Sequence, residues 1–176
     1  MSNNPTYHNL GSHSETIQID YDPTQLSYNE LLGIFWDSHD ATASPFSQQY
    51  KSIIFYHDQE QERLAIEFKE QEETRLRREI VTEIIPYSEF FLAEDYHQKY
   101  YLRQKPELMK DFNNICPATE DFISSTVTAR INGYVGGYGA LEFLHKTVDN
   151  LGLSEVGKKR LIEIADKGLV SGLVNE

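Results

Sequence analysis

Between Glu15 and Tyr21 apolar residues fall at every second position, Ile17, Ile19 and Tyr21, and this period predicts a strand over 15–21. The same parity sets Glu15 on the apolar face, at the strand's entrance. A carboxylate there costs free energy unless it is hydrogen-bonded, protonated or facing a pocket, which makes Glu15 a candidate site residue. After the break at Asp22-Pro23, Ser27-Tyr28-Asn29-Glu30 has the form of a capping box. Tyr28, Leu31, Leu32, Phe35 and Trp36 then recur at helical spacing, so Phe35 and Trp36 are read as core.

Further on, Ser52-Ile53-Ile54-Phe55-Tyr56 is too continuously apolar to have a solvated face and is expected to be a central strand. Residues 59–79 are densely charged, with Leu64, Phe68 and Leu76 spaced by multiples of four and Glu73 placed to pair with Arg77. They predict a long helix with a narrow buried stripe and a solvated outer face. Ile80-Val81-Thr82-Glu83-Ile84-Ile85 predicts a third strand, stopped at Pro86, and residues 90–102 an aromatic-rich helix ending before Pro106. A helix through Ile123, Val127 and Ile131 follows, then a joint at Gly133–Gly139 and two amphipathic helices over 140–168 separated near Gly152. Helices alternating with three strands over 15–102 indicate an α/β or α+β two-layer domain. The boundary is expected where Pro117 and polar residues interrupt the pattern, giving a domain over 1–112 and a helical extension over 121–176.

Charge narrows the choice of function. At −12, with an isoelectric point near 4.9, the chain lacks the clustered Lys and Arg that nucleic acid or anionic membranes require. No apolar run is long enough to span a bilayer and Met1–Pro5 has no signal-peptide character, so a cytoplasmic protein is expected. A single cysteine, Cys116, excludes an internal disulfide. His39 and His97 stand in no metal-ligand spacing and are read as structural; no metal is expected. The glycine-rich joint lacks the Lys-Ser/Thr pair of a phosphate loop.

Several short motifs occur in one order over residues 4–106: Asn4-Pro5-Thr6-Tyr7, His13-Ser14-Glu15, Tyr21-Asp22-Pro23, Phe35-Trp36-Asp37-Ser38-His39-Asp40, Gln49-Tyr50-Lys51-Ser52, Val81-Thr82-Glu83-Ile84 and Ala93-Glu94-Asp95-Tyr96-His97-Gln98. Together they resemble peptide methionine sulfoxide reductase A. The resemblance implies an α+β fold, a two-layer mixed sheet packed with helices, and reduction of methionine S-sulfoxide, free or in proteins. In such a reaction a thiolate attacks the sulfoxide sulfur, methionine leaves, and the nucleophile becomes a sulfenic acid. A second thiol resolves it, and thioredoxin or another thiol is the reductant, with no cofactor. Oxygen cannot leave sulfur as an oxide ion near neutrality, so proton donors must face it. Carried over by motif, those donors are Tyr7, Glu15 and Tyr50, and a partly desolvated Glu15 would hold the proton it delivers.

The departures carry equal weight. The family's nucleophile sits in a Gly-Cys-Phe-Trp motif ahead of everything seen here, and that motif is absent, with the first strand and helix. The loop before Gln49 offers no aspartate, only Ser44-Pro45-Phe46-Ser47. Three readings compete: a fragment, a relative whose selenocysteine codon was taken for a stop so that the chain restarts at Met1, and a remnant that has lost catalysis. Truncation is preferred, because the donors persist together. Cys116 lies where relatives keep resolving cysteines, although a lone cysteine is more often a small buried hydrophobe. Asp95 is expected near the pocket. The expectation is therefore a reductase-type domain, inactive as printed for want of a Cys or selenocysteine nucleophile. The alternative is a non-catalytic binding module on the same fold.

Overall fold

The computed structural model describes residues 5–172, with side chains through residue 168. Ser27 begins the first helix as the sequence predicts: its hydroxyl accepts from the Glu30 backbone N–H while Glu30 returns a carboxylate oxygen to the Ser27 backbone N–H at 2.7 Å. Helix α1 (Tyr28–Asp37) buries Leu32 and Trp36 in a core completed by Ala41, Ile54, Ala65 and Ile80. Strand β1 (Ile53–Tyr56) leads through the Asp58 cap into helix α2 (Gln59–Leu76), and β2 (Glu83–Pro86) pairs with β1 in parallel, Ile53 opposite Glu83. A parallel pair needs a crossover element, and α2 is that element. With helices packed on this small sheet the architecture is α+β.

Four expectations for this part of the chain need correction. Residues 15–21 are extended but form no strand: Ile17 is 82% and Ile19 50% exposed. A strand exists only through a ladder, and the backbone bond recorded here is from the Glu15 N–H to the Gln49 carbonyl, at 2.9 Å. For the same reason β1 is not central; among the described residues it has β2 alone as a neighbour. Helix α2 stops at Leu76, which is exposed, because Arg77 turns left-handed at φ 53°. Glu73 then caps the Ile80 backbone N–H at 3.1 Å instead of meeting Arg77 on a helix face. Finally, β2 begins at Glu83: Ile80 is buried, but the Val81 N–H bonds to the Ala41 carbonyl, off the ladder.

These elements belong to one compact unit ending at Leu92, and a second unit starts at Ala93. Most of the helix predicted over 90–102 is irregular chain and turn, with α3 confined to Tyr100–Arg103 after a left-handed Lys99. Pro106 opens α4 (Pro106–Ile115), where its missing N–H is harmless. The helix expected through 123–131 is two, α5 (Thr119–Ser124) and α6 (Thr126–Val135), parted at Ser125, whose extended backbone and hydroxyl cap α6. Left-handed Gly152 separates α7 (Leu141–Thr147) and the 3-10 turn behind it from α8 (Glu155–Gly172), as the sequence predicts. Leu102, Leu108, Phe112, Phe122, Ile131, Leu144 and Leu161 share this unit's core. Residues 112–121, the expected boundary, therefore lie inside the second unit, with the Phe112 and Phe122 rings edge to face. None of the described helices is long and apolar enough to cross a membrane.

Candidate active site

Tyr50 ends a 3-10 turn, Gln48–Tyr50, in which its own N–H bonds to the Ser47 carbonyl at 3.1 Å. Two residues of the extended segment clamp this turn. The Ser14 hydroxyl donates to the Gln48 carbonyl at 2.7 Å, and the Glu15 N–H donates to the Gln49 carbonyl at 2.9 Å. Position 15 is thereby held beside the turn by its backbone. Its side chain is fixed separately, the Gln49 amide Nε2–H donating to Glu15 Oε1 at 2.5 Å. That bond occupies one carboxyl oxygen and leaves the other for a proton or a ligand.

Tyr7 comes from a tight turn closed by the Asn9 N–H on the Thr6 carbonyl at 2.9 Å, and its ring meets His8 edge on. Its hydroxyl lies near that of Tyr50 and interacts with it. The interaction with Tyr7, then slight burial and the nearby Glu15, hold the Tyr50 hydroxyl above the ordinary phenol range. A phenol raised in this way keeps its proton at neutral pH. Tyr7, Glu15 and Tyr50, far apart in sequence, thus come together around one turn.

The setting is more open than the sequence predicts. Tyr7 is 36% and Tyr50 50% exposed, and Glu15 is exposed as well. The desolvation expected for Glu15 presupposed a paired strand over 15–21, and without a ladder nothing covers that flank in the described residues. Gln49 is the residue that sequence reasoning missed; its place in Gln49-Tyr50-Lys51-Ser52, beside a candidate donor, was the available signal.

Asp95 and Cys116 belong to the second unit. Asp95 is exposed in a turn, its carbonyl accepting from the Gln98 N–H. Cys116 ends α4, half-buried against that unit's core, its thiol free. His39 is bonded through both ring nitrogens, to Phe35 and Ser52, in keeping with its structural reading. Among the described residues no group of three or more His, Cys, Asp or Glu is placed to hold a metal ion.

An α+β unit that gathers two phenols and a carboxyl at one turn has the makings of a general-acid site. The model of the peptide methionine sulfoxide reductase family matches residues 1–131, and that of the helical domain of selenoprotein methionine sulfoxide reductase A matches residues 118–165. A peptide methionine sulfoxide reductase of Drosophila melanogaster is 40% identical over 152 residues, covering 85% of this chain and 61% of the relative. Peptide methionine sulfoxide reductases A5 of Oryza sativa and Arabidopsis thaliana are 38% and 39% identical, each covering 74% of this chain and 53% of the relative. The chain belongs to the peptide methionine sulfoxide reductase family. It spans between half and two-thirds of the length of these relatives.

Proposed function

We propose that these residues form the proton-donating half of a peptide-methionine (S)-S-oxide reductase, acting in the cytoplasm on methionine S-sulfoxide in proteins or as the free amino acid. The observation that carries this reading is the meeting of the Tyr7 and Tyr50 hydroxyls beside Glu15. A sulfoxide oxygen accepts hydrogen bonds, and charge builds on it as a nucleophile attacks sulfur, so donors fixed in advance stabilise the attack more than the ground state. When the S–O bond breaks, the oxygen and the attacking sulfur or selenium form a sulfenic or selenenic acid and the thioether leaves. The proton required at oxygen comes from Glu15, with the two phenols holding the oxygen in place.

The attacking atom is not among the 176 residues in any recognised setting: they contain one thiol, Cys116, outside a Gly-Cys-Phe-Trp motif. In a chain that carries the nucleophile, Cys116 is the candidate resolving thiol, Asp95 a candidate pocket residue, and thioredoxin or another thiol the reductant. The test is an assay of the 176-residue chain with thioredoxin, its reductase and methionine S-sulfoxide, beside a binding titration of the same sulfoxide. No turnover is expected, with binding that weakens in Tyr50→Phe and Glu15→Gln. Turnover would show that the printed residues contain their own nucleophile; no binding would favour the non-catalytic interaction module.

A further inference from the structure

We propose that His39, acting through Ser52, is a positioning residue for the Tyr50 hydroxyl; this rests on the reading of Tyr50 as a proton donor. The His39 ring reaches three oxygens: Nδ1 is 2.9 Å from the Phe35 carbonyl oxygen and 3.5 Å from Ser38 Oγ, whose own hydroxyl donates to that same carbonyl, and Nε2 is 2.7 Å from Ser52 Oγ. A carbonyl oxygen only accepts, so Nδ1 carries the ring proton and Nε2 presents its lone pair. The Ser52 hydroxyl then donates to Nε2, and Ser52 Oγ accepts from the Thr82 hydroxyl at 2.7 Å. Thr82 is fully buried, and a buried hydroxyl needs an acceptor. With the nearer Phe35 carbonyl as the main acceptor at Nδ1, the direction of this hydrogen-bond chain runs from Thr82 to Ser52 to His39 to that carbonyl.

This chain closes on the stem of the turn that carries Tyr50. Lys51, between Tyr50 and Ser52, pairs with Glu83 at 2.6 Å, and the Ser52 carbonyl accepts from the Glu83 N–H at 3.0 Å. The Thr82 carbonyl in turn accepts from Lys69 Nζ at 2.8 Å. The stem is thus sewn to β2 and its lead-in by backbone and charge, while His39 ties it to the end of α1. Apolar side chains could fill the same space, but they would not select one rotamer at Ser52. A phenol hydroxyl is the far end of a rigid lever, so a small rotation at the stem carries it away from Tyr7 and Glu15.

The experiment is a double-mutant cycle on methionine S-sulfoxide binding by the 176-residue chain. Wild type, Ser52→Ala, Tyr50→Phe and the double variant are titrated by NMR, with the His39 tautomer read from its ring nitrogen shifts. The Nδ1–H tautomer is expected in wild type. Ser52→Ala and Tyr50→Phe should each weaken binding by about tenfold, and the double variant should be no weaker than Tyr50→Phe alone. Ser52→Thr, which keeps the hydroxyl, should bind as wild type does, and His39→Gln replaces Ser52→Ala in the cycle if the latter does not fold. Additive losses, an Nε2–H tautomer, or weakening by Tyr50→Phe without weakening by Ser52→Ala would overturn the positioning role alone. Full binding by Tyr50→Phe would overturn the donor reading and the positioning role together.

Discussion

Gln49 holds Glu15 twice, once through its carbonyl and once through its amide, and the next residue is Tyr50. Gln49→Met keeps the length and loses the amide donor, so it should weaken sulfoxide binding several-fold while leaving the urea midpoint close to wild type, since the site is exposed. Titration and denaturation on one preparation check both halves. A second residue-scale prediction concerns Tyr28. Its hydroxyl has no hydrogen-bond partner among the described residues, and burial, followed by the charges of Tyr21 and Asp58, pushes its pKa up to about 12. Removing an unsatisfied hydroxyl relieves a cost, so Tyr28→Phe should raise the urea midpoint. Glu15 and Tyr50 were legible as candidates because motif order marked them; Gln49 was not, because an amide acquires a role only through the geometry of its partner.

The elements the sequence predicts best are those specified locally. Ser27 and Glu30 mark the start of α1, and Gly152 marks the break before α8, whatever surrounds them. Residues 15–21 failed as a strand because period 2 shows which side chains share a face and says nothing of whether a partner strand is present. The helix predicted over 90–102 failed because its aromatic pattern holds no information on the left-handed turn at Lys99. Local caps also set a pH dependence. Asp22 and Asp40 are held below the ordinary 3.8 by the hydroxyls and N–H groups of Thr24 and Thr42, and Glu30 below 4.5 by the Ser27 hydroxyl and N–H. The unfolded chain therefore binds more protons than the folded one in that range. Their contribution is present above those ordinary values and is lost as pH falls through the lower folded ones. The urea midpoint should fall on going below pH 4.5, and the fall should be smaller in Asp40→Asn. At Gly139, φ is +95° and an added Cβ would stand 2.9 Å from the Tyr134 ring, so Gly139→Ala should destabilise the second unit by more than about 1 kcal/mol. Thermal unfolding measures it.

At the scale of the whole chain, two cores share no residue: one around Trp36 and Ile54, the other around Phe112 and Leu144. Phe112→Ala should cost the second unit about 3–5 kcal/mol and accelerate amide exchange over α4–α8, while the amides of Leu32 and Ile54 stay protected. The donors gather in the first unit, and the cysteine and Asp95 lie in the second. The account depends on the first of these groups acting as one site for a sulfoxide oxygen. The most direct measurement is an NMR titration of the 176-residue chain, labelled at tyrosine and glutamate side chains, with methionine S-sulfoxide and with methionine as the control lacking the oxygen. The account predicts saturable shifts at Tyr7, Glu15 and Tyr50 with the sulfoxide and none with methionine. Equal shifts with both ligands, or shifts confined to other residues, would contradict it.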